Sequence, residues 1–446
     1  MSAQPTSSAT ASASAQQRAL AREIFLHALA ESSIQKAFDR HVEFGRGVLR
    51  VGDDLHDLAN YSRVRVVSLG KAAHAMAEAL VAKVGPSLEG IVACVADPPA
   101  QVPGFRYFRG GHPTPNAESV RAGEAILRML DALDEHSLAL HMVSGGGSAI
   151  VEKPISDIIT LEDLIATYRE LVLSGAPIAE INAVRKHLSA TKGGRLAQAA
   201  GQAQQVSILI SDVPDNAPDS LASGPTMADS TTVEDCYRII QKHGLLEKFP
   251  PSVRSLIQTH ALEETPKSDD PAFIRSRWWT ILSNETAVKA ASAQAKAAGF
   301  AVTVDNSCDD WDYRRAADYL LERLRELRQK NPRVCLISGG EITVRVEGKS
   351  GQGGRNQQFA LYLAPKIAGE NICVLSAGTD GIDGHSPAAG AVADGATMER
   401  AQAAGLDPAA ALAGFDAYPL FKALGDAIET GPTGTNVRDV RLLMAW

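Results

Sequence analysis

The chain has 446 residues, which exceeds the ~250–300 residues that one hydrophobic core usually supports, so two domains are expected. Hydrophobic residues make up 45% and charged residues 22% of the chain, proportions typical of a globular protein and not of a mostly disordered one. The formal net charge of −8 argues against a nucleic-acid partner, because surplus Lys and Arg bind phosphate backbones.

The first 16 residues are almost entirely Ser, Ala, Thr and Gln, and their lack of large apolar side chains predicts a disordered tail. This segment lacks the basic start and apolar stretch of a secretory signal, and apolar runs elsewhere are far shorter than the ~20 residues that span a bilayer. The cysteines have no metal-ligand spacing and an odd count. We therefore expect reduced thiols in a cytoplasmic protein without a membrane segment.

From residue 17 to about residue 250, short β-branched runs alternate with segments of helical period. This alternation predicts a doubly wound α/β domain over residues 17–250. The expected strands are Val64–Leu69, Ile91–Ala96, Ala139–Val143 and Val206–Ile210, and the expected helices are Ala72–Val84, Ser119–Leu133, Leu161–Leu173 and Ile181–Ala200.

Residues 251–276 are rich in Pro, Ser and charge and have weak periodicity, so they predict a linker. A second α/β domain is expected over residues 277–446. Its expected strands are Trp279–Leu282, Ala301–Val304, Val334–Ile337, Ile342–Val346, Cys373–Ser376 and Val440–Met444, and its expected helices are Glu285–Ala298, Arg314–Gln329 and Asn356–Lys366.

The loops after the first-domain strands carry candidate site residues, because open α/β sheets bind ligands outside the carboxyl ends of their strands. Lys71 lies at a helix start, where a cation and free N–H groups can meet an anion. The run Ser144-Gly145-Gly146-Gly147-Ser148 offers consecutive N–H groups for a phosphate or carboxylate, although it is neither a Walker loop nor a GxGxxG fingerprint. Asp212 ends a strand, where it could hold a metal or accept the proton of a substrate hydroxyl. The simpler alternatives are an exposed helix-start lysine, a flexible turn and a helix N-cap.

Similar loops occur in the second domain. Gly353 and Gly354 precede Arg355, whose planar guanidinium suits phosphate or carboxylate oxygens. Asp380 and Asp383 follow a strand among glycines, and either could coordinate Mg²⁺ or position a base, although a surface turn is the stronger alternative for Asp383.

Three further polar residues are candidates for binding or proton transfer. Asn436 lies among threonines and glycines before the last strand, where its amide could orient a substrate. His112 and His385 could carry protons, but a histidine without a visible carboxylate partner is more often a structural hydrogen-bonding residue.

Nine short segments, in this order, resemble the glycerate 2-kinase family, whose members pair an N-terminal Rossmann-like domain with a C-terminal MOFRL domain. The resemblance implies an active site in the cleft between two α/β domains, where the γ-phosphate of ATP is transferred to D-glycerate with Mg²⁺, giving 2-phosphoglycerate and ADP. The segments are GKAA at Gly70, GGHPTPNAES at Gly110, SGGGSA at Ser144, INAVRKHLSATKGG at Ile181, SDVPDN at Ser211, ASGPT at Ala222, GGRNQ at Gly353, AGTDGIDG at Ala377 and GPTGTNV at Gly431.

The same resemblance implies roles for individual residues. Lys71, Asp212, Arg355 and Asp380 would be catalytic, and the two aspartates would share metal binding and substrate activation in an order that stays open. The implied substrate- or nucleotide-binding residues are Ser144, Gly145, Gly146, Gly147, Ser148, Arg185, Lys186, Gly353, Gly354 and Asn436.

D-glycerate and ATP are the expected partners, without nucleic acid or membrane, and the chain would be a monomer or a homodimer. Two other functions stay open at this point. Hydroxypyruvate reduction is one, although no strand is followed by GxGxxG with an acid about 20 residues on. A non-catalytic sensor of small acids is the other.

Overall fold

A computed structural model describes residues 7–214, 216–346 and 348–446, with side chains from residue 13 onward. The chain divides into two compact units. The N-terminal unit is Ile34–Leu282, and the C-terminal unit combines the described residues up to Ser33 with Ser283–Trp446. Each unit contains helices and a six-stranded sheet, which confirms the predicted fold class of two α/β units.

Helix α1, Ser7–Glu31, covers most of the segment that was predicted to be a disordered tail, and it belongs to the C-terminal unit. Alanine is frequent in this segment and has the highest helix propensity, so a helix forms despite the scarcity of large apolar side chains. Farther along the helix, Ile24 and Phe25 are buried and anchor it by packing. Residues 1–6 of the predicted tail lie outside the described residues.

The N-terminal unit is built around a parallel sheet. Its strands are β1 Val42–Gly45, β2 Val48–Val51, β3 Asp54–Asp57, β4 Arg63–Leu69, β5 Glu89–Cys94, β6 Phe105–Arg109, β7 Ser137–Ser144, β8 Gln204–Ile210 and β9 Ser276–Leu282. The first three form a small antiparallel sheet, and the other six pair in parallel in the order β6-β5-β4-β7-β8-β9. Counted from β4, this is the 3-2-1-4-5-6 order of the Rossmann fold, which confirms that part of the prediction.

Helices and loops complete this unit. The helices are α2 Ile34–His41, α3 Ala73–Val84, α4 Ala117–Asp131, α5 Gly147–Ile150, α6 Leu161–Leu173, α7 Ile178–His187, α8 Arg195–Ala199, α9 Val233–Lys242 and α10 Pro251–Gln258. The single helix expected over Ile181–Ala200 is therefore two helices, separated at Gly193 and Gly194. Helix α10 lies in the expected linker, and its Val253 and Ile257 are buried in a hydrophobic cluster of this unit, so this part of the segment is not a linker.

The C-terminal unit contains a mixed sheet. Its strands are β10 Ala301–Val304, β11 Val334–Gly339, β12 Ile372–Gly378, β13 Gly390–Asp394, β14 Ala427–Ile428 and β15 Asp439–Ala445. They lie in the order β10-β11-β15-β12-β13-β14, and only the β10–β11 pair is parallel. The helices that accompany α1 are α11 Asn284–Ala297, α12 Tyr313–Lys330, α13 Arg355–Leu363, α14 Thr397–Ala403, α15 Pro408–Ala413 and α16 Ala417–Ala423.

Two strand predictions for this unit are wrong. The segment Trp279–Leu282 is part of β9, which pairs with β8 in the N-terminal sheet. The segment Ile342–Val346 forms no strand, and Thr343 makes only an isolated bridge to Asp312. Both edges of β11 are already occupied, by β10 and β15, so the following segment has no place beside it.

Candidate functional site

The glycine-rich loops of the N-terminal unit lie at the switch point of its sheet. Strands β4 and β7 are neighbours there, and their connections lead to opposite halves of the sheet, which is where open α/β sheets bind ligands. The two loops are bonded to each other, since the Lys71 backbone N–H donates to the Gly145 carbonyl at 2.9 Å and the Ala72 N–H donates to Ser144 Oγ at 3.1 Å. One loop therefore sets the position of the other.

Gly70 makes this close approach possible. Its φ is +114°, and a Cβ at this position would lie 2.3 Å from Ser144 Oγ, so no other residue fits without displacing the strand end. The motif thus places Lys71 directly above the loop that follows β7.

The side chain of Lys71 is exposed and passes over Gly146. A Cβ built on Gly146 would lie 3.1 Å from Lys71 Cγ and 3.0 Å from His112 Cδ2, so both side chains flank the same glycine. Partial burial and the positive charge of Lys71 lower the pKa of His112 below its ordinary value. These two effects favour a neutral imidazole beside the ammonium.

Asp212 approaches the same loop from the end of β8. A Cβ on Gly145 would lie 1.8 Å from Asp212 Oδ2, which shows that the carboxylate lies directly against that glycine. The structure therefore brings together Lys71, the glycine loop and Asp212, as expected from the strand ends.

A cavity of about 570 Å³ opens beside this loop, within the N-terminal unit. Its polar lining includes His112, Ser148, Arg185 and Lys192, and one wall is formed by α6. The cavity has the size and the mixture of apolar and cationic groups that suit a small anionic ligand.

The two basic residues of the predicted pair differ in their surroundings. Arg185 lines the cavity, whereas Lys186 is buried and does not. The Lys186 ammonium lies 3.1 Å from Asp219 Oδ2 and 3.2 Å from Asp229 Oδ1, and Asp229 is itself buried. An ammonium with two carboxylate partners favours a structural role for Lys186.

Sequence reasoning missed a buried network below the cavity. The Glu152 side chain is fully buried and accepts hydrogen bonds from Tyr168 Oη at 2.9 Å, from Lys192 Nζ and from Ser189 Oγ. The available signal was the charged pair Glu152 and Lys153 directly after the apolar run Ala149-Ile150-Val151, since a buried carboxylate needs partners.

In the C-terminal unit, Arg355 is held by two carboxylates. Its Nε and Nη2 lie 2.7 and 3.0 Å from the carboxylate oxygens of Asp439, and Nη2 lies 2.9 Å from Glu341 Oε1. These neighbours raise the pKa of Arg355 above its ordinary value, against the opposing effect of burial. Nη1 takes part in none of these bonds, and Arg355 lines a cavity of about 560 Å³ together with Asp380.

One alternative placed Asp383 in a surface turn, and the structure shows that it is buried instead. The residue is 2% exposed and accepts hydrogen bonds from the backbone and side-chain N–H groups of Asn356 and Gln357 at the start of α13. Burial raises the pKa of Asp383 to about 6. A Cβ on Gly354 would lie 2.3 Å from Asp383 Oδ1, so Gly354 is needed for this packing.

The other predicted residues of this unit make local contacts. The Asp380 carboxylate accepts the Ile382 N–H at 3.1 Å, and Asn436 Oδ1 accepts the Arg438 N–H at 2.9 Å. The Gly353 carbonyl accepts the His385 N–H at 3.0 Å. Of these four residues, Asp380 lines the cavity beside Arg355.

Within the described residues, no three Asp, Glu, His or Cys side chains are grouped to hold a metal ion. Nucleotide-bound Mg²⁺ does not need such a group, because one or two carboxylates together with substrate phosphates suffice. Asp212, which lies against the glycine loop, fits this arrangement, and Asp380 offers a second carboxylate on the cavity of the C-terminal unit.

All five cysteines are buried and free. Among the helices of the described chain, none combines the length and the apolar character needed to cross a bilayer.

Comparison with known proteins identifies relatives over most of the chain. Residues 20–258 match a family described as a domain of unknown function, DUF4147, and residues 334–439 match the MOFRL family. D-glycerate 2-kinase of Thermotoga maritima is 36% identical over 389 residues, covering 85% of this chain and 90% of that protein. A putative hydroxypyruvate reductase of Agrobacterium vitis is 36% identical over 423 residues, covering 93% of this chain and 94% of that protein.

The structural comparison agrees with the sequence matches. A crystal structure of glycerate kinase from Thermotoga maritima has a TM-score of 0.83 with this chain at 33% identity, covering 97% of this chain and 100% of that one. A Rossmann-like unit matched by DUF4147 and a mixed-sheet unit matched by MOFRL define the class as two-domain α/β kinases. The chain belongs to the glycerate 2-kinase family, which confirms the resemblance of the nine segments.

Proposed function

We propose that this protein is an ATP-dependent D-glycerate 2-kinase of the cytoplasm, which transfers the γ-phosphate to the 2-hydroxyl of D-glycerate. The observation that carries the proposal is the arrangement of Lys71 and Asp212 against one glycine loop at the switch point of a Rossmann-like sheet. The relatives named glycerate kinase support the choice of substrate.

Phosphoryl transfer depends mainly on positioning and on neutralising charge. The N–H groups of Gly145, Gly146, Gly147 and Ser148 would hold phosphate oxygens, and the Lys71 ammonium would offset charge on the transferring group. An exposed ammonium above a backbone-lined loop suits this role, because it can reach a phosphate held by the N–H groups of that loop.

Mg²⁺, when bound, would neutralise part of the charge of the phosphates. We assign its binding and the activation of the substrate hydroxyl to Asp212 and Asp380, without fixing which residue takes which role. Their support differs, since Asp212 lies against the phosphate-binding loop and Asp380 lines the cavity beside Arg355.

Arg355 would contribute through Nη1, because Nε and Nη2 are engaged with Asp439 and Glu341. The two carboxylates fix the plane of the guanidinium and so preorganise the remaining N–H groups for a ligand oxygen. Gly353, Gly354 and Asn436 would shape the surrounding loops.

The proposal is tested by incubating the purified protein with ATP, Mg²⁺ and D-glycerate, and by identifying the phosphorylated product by NMR. We expect ADP and 2-phosphoglycerate in equal amounts. A parallel incubation with NADH and hydroxypyruvate tests the reductase alternative, which the Agrobacterium relative named as a putative hydroxypyruvate reductase favours. NADH oxidation without ADP formation would replace the kinase proposal by that alternative.

The role of Lys71 leads to a first prediction. Lys71→Met should lower kcat by about 100-fold or more, the usual cost of removing a group that stabilises transition-state charge, while the melting temperature stays near that of the wild type. Lys83→Met is the matched control, because this lysine of α3 pairs with Asp39 outside the candidate site. Loss of less than about 3-fold in kcat for Lys71→Met would remove this residue from the mechanism.

A further inference from the structure

Arg185 is a cation without a counter-ion on the wall of the cavity in the N-terminal unit. Its Nε is buried and has no hydrogen-bond partner, and within the described residues no carboxylate lies within ion-pairing distance of its guanidinium. Burial lowers the pKa of Arg185, against the opposing effects of Tyr168 and Glu152. A partly buried guanidinium in this state is stabilised by an anion entering the cavity.

Lys192, another cation of the cavity lining, does not share this property. Lys192 also lines the cavity, but its ammonium donates to Glu152, and the two charges compensate each other inside the protein. The buried network is therefore neutral without Arg185, whose charge is left for a ligand.

Tyr168 holds the guanidinium in place. The Cζ atom of Arg185 lies 4.8 Å from the centroid of the Tyr168 ring, within the range of a cation–π contact. The hydroxyl of this tyrosine donates to Glu152 at 2.9 Å, and burial and the Glu152 charge raise its pKa well above the ordinary value. The ring therefore stays neutral and fixed, and it presents a flat face to the guanidinium.

We propose that Arg185 binds the carboxylate of the acceptor hydroxy acid, and that Tyr168, anchored on Glu152, is the positioning residue that orients it. This inference rests on the proposed kinase function. A planar guanidinium matches a carboxylate with two parallel hydrogen bonds, and Gly146 and Ser148 of the phosphate-binding loop line the same cavity. A substrate held by its carboxylate at Arg185 would direct its hydroxyl end toward that loop.

Steady-state kinetics test this assignment. Arg185→Gln should raise the KM for D-glycerate about 10-fold to 100-fold, the cost of losing a charge-assisted pair, and leave the KM for ATP within about 2-fold. Arg185→Lys should recover part of the loss, because the charge returns without the planar fork. Arg121→Gln is the matched control, since this arginine is exposed and pairs with Glu118 away from the cavity, and it should leave both KM values unchanged.

The tyrosine is tested by a double-mutant cycle. Tyr168→Leu should raise the KM for D-glycerate, and the Tyr168→Leu/Arg185→Gln double variant should be no worse than Arg185→Gln alone, because the ring acts through the guanidinium. Tyr168→Phe keeps the ring and should cause a smaller rise, and it replaces the leucine variant if that one does not fold. Additive effects, or a rise in the KM for ATP, would show that Tyr168 has only a structural role.

The two proposals fail in different ways. If the wild type does not phosphorylate D-glycerate, the proposed function fails. If the wild type is active but Arg185→Gln leaves the KM for D-glycerate unchanged or raises that for ATP instead, the assignment of Arg185 is overturned and the kinase function stands. Calorimetric binding of D-glycerate to the wild type and to Arg185→Gln gives the same comparison without turnover, and equal affinities would also overturn the assignment.

Discussion

Single residues of the candidate site are constrained by contacts across several strands. Gly145 is the clearest case, because the carboxylate of Asp212, from the next strand of the sheet, occupies the space that a side chain would need. Gly145 therefore couples the loop of residues 144–148 to Asp212, and a side chain added at Gly145 would displace the Asp212 carboxylate.

This coupling predicts a shared phenotype. Gly145→Ala should displace the Asp212 carboxylate, and both Gly145→Ala and Asp212→Asn should raise the Mg²⁺ concentration needed for half-maximal activity, by about 10-fold if one carboxylate ligand is lost. Gly45→Ala, at a position where a Cβ meets no atom within 4 Å, is the control and should behave as the wild type. A titration of activity against Mg²⁺ that is identical for all variants would contradict a metal role for Asp212.

The cations of the candidate site show which of their properties can be predicted from sequence patterns and which cannot. The sequence identifies four cations as candidates, but they differ in whether the folded chain pairs them with a carboxylate. The four are Lys71, Arg185, Lys186 and Arg355. Lys186 and Arg355 are paired with acids far along the chain, whereas no acid among the described residues pairs with Arg185. Spacing could not separate these cases, because a salt bridge between distant residues depends on where the strands and loops meet.

Secondary-structure elements were predicted well where the pattern is local. The strand at Val206 is buried from Gln205 to Ile210 and the strand at Val64 from Val66 to Leu69, and such runs of consecutive buried residues are typical of parallel sheets. The segment Ile342–Val346 has a similar composition but is no strand, because β15 returns from the chain end to occupy the edge of β11. The strand prediction for this segment is wrong because two segments compete for the same edge of β11. A pattern within a few residues carries no information about that competition.

Local sequence patterns also fail to predict which unit helix α1 belongs to. Arg18 donates to Asp394, and its Nε lies 3.3 Å from Asp426, so the helix is attached to the C-terminal sheet through two buried carboxylates. Arg22 adds bonds to the carbonyls of Gly425 and Ala427 at 2.6 and 3.1 Å. Chain order alone assigns this helix to the N-terminal unit, and side-chain pairing reverses that assignment.

A prediction about stability follows for this helix. Arg18→Ala should destabilise the C-terminal unit by about 3 kcal/mol, because it leaves the buried Asp394 carboxylate without its cation. Arg323→Ala is the control, since it breaks an exposed pair with Glu326 and should cost less than about 0.5 kcal/mol. Urea denaturation of the two variants gives the comparison, and equal midpoints would show that the helix is held mainly by its apolar face.

At the scale of the whole molecule, the two units contain buried titratable groups with opposite effects on stability. His141 in β7 is fully buried, and burial lowers its pKa to about 4 against the opposing effect of the neighbouring Gln205 side chain. Asp383 in the C-terminal unit has its pKa raised to about 6. Folding therefore disfavours the charged form of each group.

These shifts predict a pH dependence that differs between the units. As the pH falls from about 6.5 to 4, unfolded chains protonate His141 and folded ones do not, so the N-terminal unit loses up to roughly 3 kcal/mol from this group. Over the range from about 6 to 4, Asp383 takes up its proton first in the folded state, so the C-terminal unit gains stability. Hydrogen exchange of β7 and α13 at pH 7 and pH 5, corrected for the intrinsic rate, measures the two effects separately.

Replacement of His141 tests whether this residue causes the pH dependence of hydrogen exchange in β7. His141→Leu should remove most of the pH dependence of β7 protection, while His136→Leu, at an exposed position, should not. Equal slopes for His141→Leu and the wild type would assign the effect to other groups of the N-terminal unit.

The sequence by itself determined the fold class, the Rossmann-like strands and the strand-end loops, because buried parallel strands and glycine-rich turns leave patterns within a few residues. It also determined the family, since nine ordered segments are specific together. Tertiary structure decided which cations are neutralised, that Asp383 is buried, and to which unit α1 and β9 belong. These properties depend on desolvation and on pairing between distant residues, and both arise only when the chain has folded.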